Sequence, residues 1–216
     1  MSFHDSSIFP SVIANTQYEF AKRLMTISFS HAVHIDVMDG YFVPSISFPH
    51  ETFFSFSHLK HFKRVEVHLM VQKPRHWIDY LADVTHLFII HAEIENLDEQ
   101  IAYIKSRGIK VGLAFSPQTD VSLFHESIQK VDQVTIMTVT PGQYGAAFQQ
   151  ELLQKVTKLR HSFPEIDIEC DGSMNEDTIQ QAKSAGANLF VVGSCIQNAA
   201  VPQTKFQLLN ELVKKE

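Results

Sequence analysis

The segment AVHIDVM, residues 32–38, decides the fold because it carries polar side chains at alternate positions of an otherwise apolar run. Alternate residues of a strand point to one face, so His34, Asp36 and Met38 share a face, and the branched apolar residues between them share the other. Such a strand is buried on both faces. Burying an imidazole and a carboxylate together is costly unless they are paired or bind an ion, so this strand indicates a functional site.

Seven more apolar, strand-like segments alternate with amphipathic, helix-like ones along the chain. The eight expected strands are 7–14, 32–38, 64–70, 86–92, 110–115, 133–139, 167–171 and 188–193. The expected helices are 17–25, 75–83, 96–108, 150–163, 175–186 and 203–215, with Asn175 as an N-cap and Gly108 and Gly186 as C-terminal stops. This alternation predicts one α/β domain, a (β/α)8 TIM barrel covering residues 1–216. A doubly wound open sheet is the rival, but no G-x-G-x-x-G follows the first strand.

The composition excludes several classes of protein. The chain has 216 residues, 44% of them hydrophobic, and a formal net charge of −6. A mildly acidic chain has no basic stripe for nucleic acid, and no apolar run is long enough to span a membrane. The start of the chain does not resemble a signal peptide. Cys170 and Cys195 are the two cysteines, which predicts reduced thiols and a cytoplasmic protein.

Four ionisable side chains are expected to meet at one end of the barrel. Asp36, His68 and Asp171 lie near the carboxyl ends of their strands, and those ends form one ring. With His34 they make a set of two imidazoles and two carboxylates, which suits one divalent ion such as zinc, iron, manganese or cobalt. Each histidine alone, like His91 in the strand at 86–92, is better explained as a hydrogen-bonded core residue, and it is the set of four groups that favours a metal.

Two further groups of residues lie at similar depth. Met38, Met70 and Met137 would form an apolar shield over a polar site. Small residues follow the last three strands, where barrels commonly bind phosphate through backbone N–H groups. The expected donors are Gly172, Ser173, Gly193 and Ser194, with Gly145 and its neighbours next.

Seven motifs resemble, in order and spacing, the ribulose-phosphate 3-epimerase family. They are PSVIAN, HIDVMDGYFVP, VHLMV, HAE, MTVTPG, DGSMN and VVGS, and the likeness runs from about residue 8 to 196. The resemblance implies a metal-dependent epimerisation at C3 of a ketose phosphate, with a divalent ion as Lewis acid for the enediolate. It implies that Asp36 and Asp171 are the acid/base pair on opposite faces of the substrate.

The resemblance also assigns the remaining roles, position by position. It implies His34, Asp36, His68 and Asp171 as metal ligands. It implies substrate contacts from Ser11, His68, Met38, Met70, Met137, Gly142, Gly145, Gly172, Ser173, Gly193 and Ser194.

The chain departs from the family pattern on the substrate side. The family's usual P-G-F-G-G-Q reads PGQYGAA here, with Tyr144 for a glycine and Ala146 for the glutamine. Ser45 and Ser116 replace asparagines, and Phe48 replaces a glycine. These departures leave the chemistry intact and the substrate open: ribulose 5-phosphate remains the default, and a ketohexose 6-phosphate such as allulose 6-phosphate is the alternative.

Other functions remain open at this point. The altered loop is also consistent with a sugar-phosphate-binding protein that has lost turnover. A metal-dependent hydrolase could use the same ligands. A Schiff-base aldolase is disfavoured, because Lys63 and Lys110 lie at the amino ends of their strands. The aromatic segment at 50–62 suggests a subunit contact, so a homo-oligomer is expected.

Overall fold

Eight parallel strands form a closed barrel in the computed structural model of this chain, which describes residues 7–47, 56–142 and 145–214. The strands, including a short β3 outside the parallel set, are β1 (Ser7–Val12), β2 (Ala32–Asp39), β3 (Ile46–Ser47), β4 (Arg64–Met70), β5 (Leu87–His91), β6 (Lys110–Phe115), β7 (Gln133–Met137), β8 (Asp167–Asp171) and β9 (Leu189–Val192). Each parallel strand pairs with the next, and β1 pairs with both β2 and β9, which closes the barrel. The predicted (β/α)8 barrel is confirmed.

Helices connect the strands. They are α1 (Gln17–Thr26), α2 (Phe56–Leu59), α3 (Pro74–Leu81), α4 (Leu97–Ser106), α5 (His125–Ile128), α6 (Leu153–Ser162), α7 (Glu176–Ala185), α8 (Ser194–Gln197) and α9 (Pro202–Lys214). Within the described ranges, no helix is both long enough and apolar enough to cross a membrane.

The two faces of β2 separate the core from the site. Ile35 and Val37 are fully buried in the main apolar cluster, which also contains side chains from the surrounding helices. Burying each such side chain stabilises the fold by about 1.5–3 kcal/mol. The opposite face carries His34, Asp36 and Met38 into the barrel, as the alternation predicts.

The helix boundaries follow from local capping chemistry. The Asn175 side chain accepts hydrogen bonds from two backbone N–H groups of the first turn of α7, and Gly186 ends this helix with φ +113°. Both predictions are confirmed. Helix α6 begins three residues later than the predicted segment, because Gln150–Leu152 form a 3-10 turn first.

The antiparallel strand β3 was not predicted. The Ser47 hydroxyl donates to the Asp36 carbonyl at 2.6 Å and accepts from the Met38 N–H at 2.9 Å. These bonds fasten the long connection after β2 to the strand that carries the polar residues. Most of the aromatic segment at 50–62 lies outside the described residues or has no described side chains.

Candidate active site

Four ligand-type side chains meet at the carboxyl end of the barrel. His34 and Asp36 come from β2, His68 from β4 and Asp171 from β8, and one ligand atom of each lies within 4.8 Å of the others. Asp36 and His68 are direct register partners on adjacent strands. The convergence expected from the strand pattern is therefore present.

The nitrogen and oxygen atoms of these four side chains lie close enough together to surround one point. The Nδ1 atom of His68 lies 3.1 Å from Oδ1 of Asp36 and 3.4 Å from Oδ2 of Asp171. The Nε2 atom of His34 lies 3.3 Å and 3.9 Å from the same two oxygens. This Nε2 is buried and has no hydrogen-bond partner. A buried nitrogen without a partner, beside two carboxylates and a second imidazole, fits the donor set of a divalent transition-metal site.

The acids and imidazoles of this set perturb one another. Burial alone would raise the pKa of Asp36, but the adjacent His34 and His68 lower it well below its usual range. Burial would lower the pKa of His34, yet Asp36 and Glu66 raise it well above normal. The pKa of His68 is raised as well, because the hydrogen bonds that it donates to Asp171 and Asp36 outweigh its burial. The set therefore favours ionised oxygen ligands.

A second polar layer lies deeper in the barrel, next to His34. The Oε2 atom of Glu66 is 3.4 Å from Nδ1 of His34, and Arg64 donates to Oε1 of Glu66 at 2.7 Å. Thr135 donates to Glu169 at 2.9 Å. Burial and the charge of Glu66 raise the pKa of Glu169 well above normal, whereas His34 and Arg64 lower the pKa of Glu66 against its burial. This layer orients the His34 ring from behind.

A cavity of about 510 Å³ opens above the four groups. It is large enough for a phosphorylated sugar. Twelve residues predicted to act at the site line it: Ser11, Asp36, Met38, Met70, Met137, Gly142, Gly145, Asp171, Gly172, Ser173, Gly193 and Ser194. His34 and His68 are fully buried and do not line it.

Three methionines form an apolar part of the cavity wall. Met38, Met70 and Met137 are each no more than 5% exposed. Met38 and Met70 are register partners, and Met137 pairs with Asp171. Their position over the carboxylates fits the expected shield against bulk water.

Two glycine turns bring backbone close to the cavity. Gly172 has φ +124°, and the backbone N–H groups of Gly172 and Ser173 donate to no other described residue. A Cβ atom at Gly193 would lie 2.8 Å from the Ser11 hydroxyl. Unpaired N–H groups beside a cavity suit an anionic oxygen such as that of a phosphate.

Some cavity residues were not found from the sequence. Arg23, Glu19 and Asn15, in α1 or just before it, line the same cavity as the glycine turns. Arg23 donates from Nε and Nη2 to Glu19 at 3.0 Å and 2.8 Å. An arginine on an amphipathic helix has no sequence signal that distinguishes it from a solvated one. The substituted Ser45 also lines the cavity, and its hydroxyl donates to the Gly142 carbonyl.

Sequence comparisons with known proteins agree on one family, and a structural comparison matches the fold. The sequence pattern of the Ribulose-phosphate 3 epimerase family matches residues 7–197. The chain is 34% identical to ribulose-phosphate 3-epimerase of Schizosaccharomyces pombe, over 97% of this chain and 95% of the relative. It is 36% identical to the cytoplasmic isoform of that enzyme from Oryza sativa subsp. japonica, over 96% and 92%. Orotidine 5'-monophosphate decarboxylase from Sulfolobus solfataricus shares the fold alone, with TM-score 0.65, 15% identity and coverage of 97% and 98%.

Proposed function

The chain belongs to the ribulose-phosphate 3-epimerase family, whose named members are carbohydrate isomerases, and from this membership we propose that it interconverts D-ribulose 5-phosphate and D-xylulose 5-phosphate. The observation that carries the proposal is the meeting of Asp36 and Asp171 at one cavity. They come from β2 and β8, which are three positions apart around the barrel. Two carboxylates that approach one carbon from different sides can exchange a proton on either face.

The acid/base roles follow from this arrangement. One aspartate removes the C3 proton, and the other delivers a proton to the opposite face of the same carbon. The lowered pKa of Asp36, which His34 and His68 cause, keeps this carboxyl ionised in the free protein. His68 lies within 3.4 Å of both carboxylates and holds them in place. Met38, Met70 and Met137 limit the access of water, so C3 exchanges its proton with the two aspartates rather than directly with bulk solvent.

A divalent ion would be held by His34, Asp36, His68 and Asp171, and the unpartnered Nε2 of His34 is the observation that supports its presence. Zinc, iron, manganese and cobalt all suit this donor set. When bound, such an ion supplies Lewis-acid stabilisation for the negative charge that develops on the sugar oxygens. The protein supplies the geometry of the four groups and the buried layer behind them.

The phosphate of the substrate would bind at the far side of the cavity. Gly172 and Ser173 offer free N–H groups there, and Gly193, Ser194, Gly142 and Gly145 line the same space. The replaced residues of the family pattern, Ser45 and Ala146, also line the cavity. That placement supports a ketohexose 6-phosphate such as D-allulose 6-phosphate as the alternative substrate. Tyr144 and Phe48, two further replacements, lie outside the described residues.

A sugar-phosphate-binding protein without turnover is the second candidate. Its motivation is the altered phosphate loop. The retention of both aspartates and both histidines, with ligand atoms within 4.8 Å of one another, favours the enzyme.

The test is solvent deuterium exchange at C3 for a panel of ketopentose and ketohexose phosphates. The metal-loaded protein is expected to incorporate deuterium into ribulose 5-phosphate and form its epimer, as followed by proton NMR. The metal-stripped protein and an Asp36→Asn variant serve as matched controls and should exchange far more slowly. Faster exchange with allulose 6-phosphate would assign the hexose. Binding of these sugar phosphates without any deuterium exchange would support the sugar-phosphate-binding protein without turnover.

We also propose a single-domain, cytoplasmic homo-oligomer. Support for the location comes from the cytoplasmic isoform named in rice and from the free state of Cys170 and Cys195. Support for the oligomer is the aromatic composition at 50–62. Sedimentation that finds only monomer at micromolar concentration would refute the oligomer.

A further inference from the structure

His91 stands directly behind His68, on the side away from the aspartates. The two Nε2 atoms lie 3.0 Å apart, and the rings stack with centroids 5.1 Å apart at an interplanar angle of 19°. The other nitrogen of His91, Nδ1, lies 3.0 Å from Oε2 of Glu93. Both imidazoles are fully buried. A continuous line of contacts therefore runs from Glu93 through His91 to His68.

The direction of the hydrogen bonds along this line is fixed by chemistry. A carboxylate accepts, so Nδ1 of His91 must carry a hydrogen and donate it to Glu93. The neutral His91 then has a lone pair on Nε2, which must accept from Nε2–H of His68. When a metal ion replaces the proton on the other nitrogen, His68 is neutral and its lone pair is on Nδ1, the atom that faces Asp36 and Asp171. We infer that Glu93 and His91 form a relay that positions His68 and fixes its tautomer as an Nδ1 ligand.

The relay is anchored at its outer end. Oε1 of Glu93 accepts from the Ser116 N–H at 2.9 Å and from the Thr119 hydroxyl. Lys155 donates to the carbonyls of Ser116 and Thr119 at 3.0 Å and 2.7 Å. Three donors already face Glu93, counting His91, so an amide in place of the carboxylate would oppose one of them. The Glu93 side chain is 25% exposed, which puts this anchor at the rim of the barrel.

The surroundings of His91 leave little room for another arrangement. The Phe42 ring lies 4.6 Å from the His91 ring, centroid to centroid, and covers it. The Ser116 hydroxyl is 3.4 Å from Nδ1 of His91, farther than Glu93. Hydrogen bonds behind a metal-binding histidine typically contribute about 10- to 100-fold to metal affinity. The inference rests on the proposed function, since it takes His68 to be a metal ligand.

The experiment measures metal binding directly, separately from turnover. Metal-free wild type and variants are titrated with Co(II), whose visible absorption reports coordination, and with Zn(II) in competition with a chelator. Glu93→Gln keeps the side-chain shape but adds a donor. Glu95→Gln, an exposed glutamate on the same loop, is the matched control for charge. His91→Leu removes the acceptor, whereas His91→Gln restores an acceptor to the same position.

We expect Glu93→Gln to weaken Zn(II) binding by about 10- to 100-fold and to change the Co(II) spectrum, with Glu95→Gln close to wild type. His91→Gln should bind more tightly than His91→Leu, while thermal unfolding of the metal-free variants shows that they are folded. If His91→Leu does not fold, Glu93→Gln decides alone. Unchanged affinity and spectrum in Glu93→Gln would refute the relay alone, whereas a wild type that binds no metal would refute the metal site and the relay together.

Discussion

Replacing Gly172 by alanine tests whether the turn after β8, beside the cavity, requires a residue without a Cβ atom. Gly172 has φ +124°, a backbone conformation that residues with a Cβ rarely adopt. A Cβ there would lie 2.6 Å and 2.9 Å from the two methyl groups of Val139 and 3.0 Å from its backbone nitrogen. The new methyl group cannot be accommodated by one side-chain rotation, because the backbone nitrogen remains.

The expected cost has two parts. The backbone conformation costs about 1–3 kcal/mol for a residue with a Cβ, and the overpacking against Val139 costs about 1–3 kcal/mol more. The free energy of unfolding should fall by about 2–6 kcal/mol in total. For a domain of this size each kcal/mol lowers Tm by about 2–4 °C. Since Gly172 lines the cavity beside Asp171, KM for the sugar phosphate should also rise.

Gly108→Ala is the control, because Gly108 also has a positive φ, +73°, but a Cβ there would meet nothing within 4 Å. Its cost should be only the conformational part, about 1–2 kcal/mol, with KM unchanged. Urea unfolding of wild type and both variants gives the two free energies, and steady-state kinetics gives KM. Equal destabilisation by the two substitutions, with no change in KM for Gly172→Ala, would refute the reasoning.

Three further predictions follow from described contacts. Asp36→Asn and Asp171→Asn should each lower turnover by about 10²- to 10⁴-fold without changing the circular dichroism spectrum; turnover near wild type would contradict the two-base assignment. Lys155→Met loses hydrogen bonds to three loop carbonyls, at 3.0 Å, 2.6 Å and 2.7 Å, and should lower the free energy of unfolding by about 1–3 kcal/mol in urea. Burial and the charge of His68 lower the pKa of His91 from 6.5 to about 4. The unfolded chain then binds a proton at His91 that the folded chain does not, so this group alone should lower the stability of the metal-free wild type by on the order of 3 kcal/mol as pH falls from 6.5 to 4. In the same urea titration, His91→Gln should therefore lose less stability than the wild type.

Much of the barrel could be predicted because its signals are local. Alternation in β2 and capping at Asn175 and Gly186 depend on neighbouring residues only. Strand β3 escaped prediction because two residues carry no periodic signal, and Ser47 is held there by contacts with β2. Three of the four proposed metal ligands share the simple property of lying near the carboxyl end of a parallel strand, so topology alone brought them together.

The rest of the site depends on contacts between distant parts of the chain. Arg23 enters the cavity from α1, which the amphipathic pattern describes only as a helix with a polar face. The sequence identifies His91 as a strand histidine, but its hydrogen bond with His68 depends on side-chain direction across β4 and β5. The position of Glu93 depends on the hydrogen bonds that it accepts from Ser116 and Thr119 on another loop. Such relations are set by the packed structure and have no fixed sequence spacing.

The register between β2 and β4 ties correct folding to the ability to capture a cation. Asp36 sits opposite His68 only in the native alignment. A slip of β2 by one residue would turn His34 and Asp36 outward among the helices and bring Val33, Ile35 and Val37 into the barrel. A molecule with the wrong strand register would therefore lack a complete metal site. The metal taken up per mole of chain would thus count the natively aligned molecules in a preparation.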